Sequence, residues 1–150
     1  MPKITPFLWF NDNAEAAAKF YCSVFRNSKI LQLRRSGKKV VGVTFRVEGQ
    51  TLVALNGGPH YQLTPAISLL VDCESQAEID ALWKKLSRGG KPLRCGWITD
   101  KFGLTWQIIP AALGRLIGDK DPAKADRAWE AMMKMVKIDL KALERAHAGK

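Results

Sequence analysis

The chain has 150 residues, of which 47% are hydrophobic, and its 24 Lys and Arg against 14 Asp and Glu give a net charge of +10. This length favours one globular domain, 1–150, since domains commonly span roughly 100–200 residues, although two fused small halves remain open. No stretch approaches the ~20 apolar residues of a membrane span, and the start lacks the pattern of a signal peptide. We therefore expect a cytoplasmic protein that does not enter a membrane.

The cysteine spacing and the charge distribution argue against disulfide-rich, zinc-binding and nucleic-acid-binding proteins. The three cysteines, Cys22, Cys73 and Cys95, are odd in number and form no CxxC pair, so neither a disulfide framework nor a zinc ribbon is indicated. The basic residues are scattered, without the interleaved aromatic residues of a nucleic-acid-binding motif. We expect no nucleic-acid partner, and the excess positive charge is most simply a set of solvated turns and helix faces.

The first sixty residues predict a strand, a helix and three strands. Apolar side chains at helical spacing follow the polar cluster at 11–13, and Asp12 with Glu15 resembles a capping arrangement for that helix. The turns at 36–39 and at Glu48-Gly49 separate the later strands. The predicted strands are 4–10, 29–35, 40–47 and 50–56.

The next fifty residues nearly repeat this order. Ser75 and Glu78 form a capping box for a helix that Gly89-Gly90 ends, and the predicted strands are 66–73, 92–97 and 104–109. A shift of 61 positions lays Thr5 on Ala66, and a shift of 54 lays Gly49 on Gly103. The second half shows one fewer clear strand. The sequence therefore predicts an α+β fold of two βαβββ modules, 1–60 and 61–110.

The remaining residues, 111–150, predict a helical tail. Pro110 can start a turn of helix that stops at Gly118, Asp121-Pro122 is an N-cap and N1 pair, and Asp139 opens a last short helix. The Met and Trp side chains of the tail recur at helical spacing, which is typical of packing surface. We expect this surface to contact a second subunit.

Four segments together resemble a known family. They are ITPFLWF at 4–10, VALNGGPHY at 53–61, RCGWITDKFGLTWQIIP at 94–110 and DPAKADRAWEAMMKM at 121–135. With the duplicated module order, they are similar to the vicinal oxygen chelate superfamily, which includes glyoxalase I and the bleomycin-resistance proteins. Within it they resemble the PhnB-like group, often labelled 3-demethylubiquinone-9 3-methyltransferase. The resemblance implies curved sheets around a small-molecule cavity, usually in a homodimer.

In metal-dependent relatives, the first and last strand of each module carry His, Gln or Glu ligands for a divalent metal. Carried onto this sequence, those positions fall on Thr5, Val53, Ala66 and Gln107, of which only Gln107 is a useful ligand. The resemblance therefore implies a cavity without a catalytic metal. The alternative is a metal-dependent lyase, isomerase or dioxygenase of the glyoxalase type, so whether the protein is an enzyme stays open.

The methyltransferase label implies a cofactor that the sequence does not support. A pocket for S-adenosylmethionine commonly needs a glycine-rich turn after the first strand, and this chain has no GxGxxG. The Gly-Gly pairs at 57–58 and 89–90 follow a strand and a helix instead. We expect no cofactor and interpret the label as a family name.

The candidate site residues follow from strand alternation and the resemblance. Phe7 and Trp9 share a strand face and are expected to line the cavity with Trp97, while Gln107 would orient the ligand by hydrogen bonding. Asn56 and His60 are expected at the rim. The alternative is a filled barrel that binds nothing.

His60 and Cys95 are also candidate catalytic residues. His60 follows a glycine turn and is either a general base or an exposed linker histidine. Cys95 is either a reactive thiol or a buried strand residue, and the second is favoured because Arg94 would point to the opposite strand face.

Overall fold

The computed structural model describes residues 2–150, which divide into two compact units. The first unit runs to Thr64 and the second is Pro65–Lys150. Each unit contains one four-stranded sheet, so the α+β fold predicted from the sequence is confirmed. Within residues 2–150 no helix is long and apolar enough to cross a membrane.

The first unit has the predicted order of strand, helix and three strands. Its sheet has the spatial order β1-β4-β3-β2, with β1 parallel to β4 and the other neighbours antiparallel. The first strand begins later than predicted, after Pro6, whose ring nitrogen has no hydrogen to donate. The elements are β1 (Phe7–Phe10), α1 (Ala14–Val24), β2 (Lys29–Ser36), β3 (Lys39–Val47) and β4 (Gln50–Asn56).

One face of this sheet packs on α1 and forms the core of the first unit. Tyr21 of α1 stacks against Phe45 of β3 with ring centroids 6.2 Å apart. The alternate positions of each strand supply this core, as a sheet with one covered face requires. The buried residues are Leu8, Phe10, Val43, Phe45, Leu52 and Ala54 on the strands and Ala14, Ala17, Ala18, Tyr21 and Val24 on α1.

The second unit repeats the architecture with four strands, which corrects the expectation of one fewer. The predicted strand 92–97 is two short strands, because Cys95 and Gly96 adopt positive φ angles of 59° and 83° and turn the chain. Cys95 therefore lies in a turn and not on a strand. The sheet order is β5-β8-β7-β6. The elements are β5 (Ser68–Cys73), α2 (Gln76–Ser87), β6 (Lys91–Pro92), β7 (Trp97–Thr99) and β8 (Thr105–Pro110).

Helices α1 and α2 begin in different ways. The capping box of α2 is confirmed, since Ser75 accepts from the Glu78 backbone N–H at 3.2 Å and the Glu78 carboxylate accepts from the Glu74 N–H at 2.9 Å. The capping predicted from Asp12 and Glu15 is wrong. Glu15 instead pairs with a lysine one turn on, and the N-cap residue of α1 makes no side-chain capping bond.

Three helices follow in the tail: α3 (Leu113–Ile117), α4 (Pro122–Met133) and α5 (Leu140–Ala148). Asp121 and Asp139 cap α4 and α5 as predicted. Gln76 of α2 anchors the tail, because its amide donates to the Ile138 carbonyl at 2.9 Å and accepts from the Leu140 N–H at 2.8 Å. The buried tail residues pack with one residue of β8, and the cluster comprises Ile109, Leu113, Leu116, Ala128, Met132, Ile138 and Leu143.

Strand pairing defines how the modules correspond. Phe7 pairs with Val53 in the first sheet, and Leu70 pairs with Gln107 in the second. With Val53 equivalent to Gln107, Phe7 is equivalent to Leu70, a shift of 63 where the sequence suggested 61. Thr5 therefore corresponds to Ser68 rather than to Ala66.

Candidate functional site

The sheet of the first unit has a second face, opposite α1, that carries two of the predicted site residues. Phe7 pairs with Val53 and Trp9 with Leu55, so these four side chains lie on one face of the sheet. Phe7 is 61% exposed. An aromatic ring left uncovered within its own unit is a candidate contact for an apolar ligand.

Trp9 is held in place from three sides. Its indole N–H donates to the Gly58 carbonyl at 2.9 Å, and the ring of Tyr61 meets it edge-on at 5.0 Å and 82°. The indole also lies against Gly57, where an added Cβ would be 2.3 Å from the ring. The glycine turn at 57–58 therefore fixes the position of an aromatic wall, which is its clearest structural role.

Both the oxygen and the nitrogen of the Asn56 side-chain amide have a partner within the first unit. Its Oδ1 accepts from the Ala14 N–H at 2.8 Å, which satisfies a free donor at the start of α1. Its Nδ2 donates to the Val40 carbonyl at 3.0 Å. The ligand contact expected of Asn56 stays a prediction, and the sequence missed this structural role because the partners are distant along the chain.

His60 lies in the loop that follows the glycine turn and is exposed. Among residues 2–150 its ring takes part in no hydrogen bond or ion pair. The fold gives it no orienting partner within the first unit, as a positioned general base would have.

Gln107 lies on the face of the second sheet opposite α2, half-buried. It pairs with Leu70 on β5 and with Trp97 on β7, so the predicted site residues Trp97 and Gln107 are cross-strand neighbours. Its Nε2 donates to the hydroxyl of Ser68 at 2.9 Å. This bond fixes the amide and leaves Oε1 as an acceptor on a face where Leu70 is 55% exposed.

The two ends of this face are closed by other contacts. Beside Ser68, the hydroxyls of Thr99 and Thr105 hydrogen-bond to each other at 2.9 Å. At the other end, Ile109 is covered by the helical tail. The second unit therefore leaves an uncovered strip of limited length, and Gln107 is at its middle.

The turn before β8 is organised by a buried carboxylate. Asp100 is 3% exposed and accepts from the backbone N–H groups of Phe102 at 2.8 Å and Leu104 at 3.1 Å, so its side chain caps its own turn. Its second oxygen accepts from the Trp106 indole N–H at 2.8 Å. Asp100 is thus committed to positioning β8 and, with it, Gln107.

The cysteines differ in their surroundings. Burial, with the carboxylates of Glu78, Asp72 and Glu74 adding to it, raises the pKa of the Cys73 thiol to about 12. Burial also raises the pKa of Cys22. Cys95, the one catalytic candidate among them, has its Sγ 3.8 Å from the Sδ of Met133, and its N–H donates to the Met135 carbonyl. The turn at Cys95 therefore joins the second sheet to the tail.

The residues at the family's metal positions do not fit a divalent cation. With the register that the strands define, these positions are Thr5 and Val53 in the first unit and Ser68 and Gln107 in the second. Val53 has no donor atom, and the hydroxyl of Ser68 already accepts from Gln107. In the described part of the chain, no three His, Cys, Asp or Glu side chains group to hold a metal ion.

Sequence reasoning missed three residues that shape these faces. Ser68 orients Gln107, Gly57 admits the ring of Trp9, and Tyr61 closes against that ring. The signal for Gly57 and Tyr61 was present in GGPHY, where an aromatic residue follows a glycine turn. Nothing local signalled Ser68, since its role depends on the pairing of β5 with β8.

Comparison with known proteins places the chain in a family. The family described as 3-demethylubiquinone-9 3-methyltransferase matches residues 2–109. The PhnB protein from Bacillus cereus is 34% identical, with 71% of this chain and 97% of that chain covered and a TM-score of 0.67. No protein with a curated description matches the chain.

Two further solved structures share the fold. A protein from Pseudomonas aeruginosa is 22% identical with a TM-score of 0.59, and it covers 71% of this chain and 95% of its own. The fosfomycin resistance protein FosX from Listeria monocytogenes, complexed with Mn(II) and sulfate, is 16% identical with a TM-score of 0.53 and covers 71% and 90%. The chain therefore belongs to the PhnB-like, 3-demethylubiquinone-9 3-methyltransferase-like family of the vicinal oxygen chelate superfamily.

Proposed function

We propose that this protein binds a small organic molecule on the uncovered faces of its sheets and does so without a catalytic metal. The observation that carries the proposal is the face opposite α1, where Phe7 is 61% exposed beside the fixed indole of Trp9. A preformed aromatic surface costs little ordering entropy on binding, which favours affinity for a flat or partly apolar ligand.

On the uncovered face of the second sheet, Gln107 supplies a polar contact of its own. Because Ser68 holds its Nε2, the free Oε1 has a fixed direction and accepts a hydrogen bond from a ligand N–H or O–H. Trp97, the neighbour of Gln107 across the strands, adds an apolar wall. His60 and Asn56 have rim roles in this scheme, with Asn56 acting mainly by holding the start of α1.

The proposal of metal independence is based on the side chains at the metal-ligand positions of the family. A divalent ion in such sites is held mainly by imidazole and carboxylate groups, whereas Thr5, Val53, Ser68 and Gln107 offer two neutral hydroxyls, one amide oxygen and one alkyl side chain. The methyltransferase description of the family carries no mechanism for this chain, because no glycine-rich turn follows a first strand to bind a methyl-donor cofactor.

Native mass spectrometry of the purified protein tests the proposal first. We expect a homodimer without stoichiometric metal, carrying or accepting an organic ligand of small mass. One metal ion per subunit would instead overturn metal independence and favour the metal-dependent alternative. Absence of saturable binding for any apolar or aromatic probe would overturn the ligand-binding function itself.

A further inference from the structure

The uncovered face of the first sheet is chemically divided along its strands. Where β1 pairs with β4 the face is apolar and carries Phe7, Trp9, Val53 and Leu55. Their pairing partners on β3 and β2 are polar or lack a side chain. Val53 pairs with Thr44, which pairs with Gln32, and Leu55 pairs with Gly42.

Cationic side chains flank the polar half. Arg46 pairs with Thr51 and with Lys29, and Arg34 pairs with Gly42, so all three cations lie on the same face as Thr44. Arg46 and Arg34 are each two strand residues from the Thr44–Gln32 pair, on opposite sides of it. Two rise steps amount to roughly 7 Å, within reach of an arginine side chain.

These cations have no acidic counterpart on the sheet. No Asp or Glu occupies any position paired on this face, and the ion pairs found within residues 2–150 involve other residues. Lys29 and Arg46 moreover face each other directly, an arrangement of like charges that destabilises a pair of strands. A bound anion would relieve this repulsion.

Gly42 leaves room for Arg34 to contribute. A Cβ at Gly42 would meet only the Ala54 carbonyl at 3.4 Å and the Arg34 Cβ at 3.9 Å, so no side chain fills the space between Leu55 and Arg34. The guanidinium group of Arg34 can therefore lie over the backbone of Gly42 and approach Thr44.

We propose that the ligand of this face is an organic anion, with one carboxylate or phosphate group on an aromatic or aliphatic body about 10 Å long. The length follows from the two strand spacings, each about 4.8 Å, that separate β3 from β1. The apolar body lies over Phe7 and Val53, and the anion lies over Thr44 between Arg46 and Arg34. This inference rests on the proposed function and specifies its ligand class.

Isothermal titration calorimetry with two probes of the same shape tests it: 2-naphthoate, which is anionic, and 2-naphthamide, which is neutral. We expect the protein to bind naphthoate about tenfold more tightly, since hydrogen bonds to charged groups are the stronger class. Arg34→Gln and Arg46→Gln should each lower naphthoate affinity several-fold and leave naphthamide affinity unchanged. Arg88→Gln, which removes the same charge from the end of α2, is the matched control.

The outcomes separate this inference from the proposed function. Equal affinity for both probes, or an equal naphthoate loss with Arg88→Gln, overturns the anion site and leaves the cations as solubilising groups of an edge strand. If Phe7→Ala lowers the affinity for both probes while the arginine variants change neither affinity, the result supports the ligand-binding face and contradicts the anion site. If neither probe binds saturably, both proposals fail. Steeply salt-dependent binding of duplex DNA without naphthoate binding would identify a nucleic-acid surface instead.

Discussion

Gln107 and Ser68 are joined by a hydrogen bond of 2.9 Å, from Nε2 to the hydroxyl, between parallel strands 39 residues apart in sequence. The bond explains why a glutamine occurs within an otherwise apolar strand, because its polar end has a partner on the neighbouring strand. It also fixes the orientation of the one amide that the proposed function uses for ligand contact.

Gln107→Leu should therefore lower ligand affinity while changing the stability of the fold only slightly. Losing one half-buried hydrogen bond costs about 1 kcal/mol of unfolding free energy, partly offset by the apolar replacement, whereas the polar ligand contact is lost entirely. Urea unfolding and calorimetric binding of 2-naphthamide, whose N–H can donate to Oε1, measure the two effects. Ser68→Ala is the companion variant, since it keeps the amide but frees its orientation and should weaken binding less. Unchanged affinity in Gln107→Leu would remove this residue from the site.

Asn56→Ala should destabilise the first unit by about 1–2 kcal/mol, because the N–H of Ala14 and the carbonyl of Val40 both lose their partner. Chemical denaturation measures the loss. Asn13→Ala is the matched control: Asn13 occupies the N-cap position of α1 but makes no side-chain capping bond, so its loss should be near zero. Equal losses in the two variants would contradict the assignment of the cap to Asn56.

Gly57→Ala should displace the indole of Trp9, since the added methyl group would be 2.3 Å from its ring. Overpacking of this kind costs about 1–3 kcal/mol, and the tryptophan fluorescence should change with it. Gly114 lies in α3, and an added Cβ there would have nothing within 4 Å. Gly114→Ala should therefore stabilise the protein by about 0.5–1 kcal/mol. Combining Gly57→Ala with Trp9→Phe should recover part of the loss; a purely additive result would argue against the contact.

Cys73 should resist alkylation in the folded protein at pH 8. The residue is 1% exposed, and a thiol pKa raised by burial to about 12 leaves almost no reactive thiolate. Iodoacetamide labelling followed by peptide mass mapping checks this, with Cys73→Ala identifying the peptide and labelling in denaturant giving the full extent. Rapid modification of Cys73 in folded protein would show that the face of β5 against α2 opens readily.

Asp119 should make the tail sensitive to acid. The backbone N–H of Asp121, and secondarily His147 at 2.7 Å, hold the pKa of Asp119 below its ordinary value of 3.8. Because the folded pKa is depressed, the stabilisation is complete above pH 3.8 and is lost as the pH falls through the folded pKa. We expect the wild-type protein to have a larger free energy of unfolding than Asp119→Asn at pH 6, and this difference should shrink below pH 4 when unfolding is measured down to pH 3. A difference that is constant with pH would exclude this charge effect.

The sequence by itself determined what depends on neighbours along the chain. The capping box at Ser75 and Glu78 and the N-caps Asp121 and Asp139 use partners within four residues, so local pattern predicted them. The repeat of module order predicted two similar sheets, and the combination of motifs identified the family. These features require only local hydrogen bonding and hydrophobic periodicity.

Tertiary structure decided what depends on strand register and on partners far apart in sequence. Repeat shifts of 61 and 63 both lay Leu8 on an apolar residue, Leu69 or Val71, so the apolar pattern does not choose between them. Only the pairing of β5 with β8 selects Ser68 as the neighbour of Gln107. The cap of α1 comes from Asn56, 42 residues beyond the helix start, where no local signal could predict it. The sides on which Phe7, Arg34 and Arg46 lie were likewise fixed by packing against α1, because burying one face of a sheet determines which side chains remain on the other.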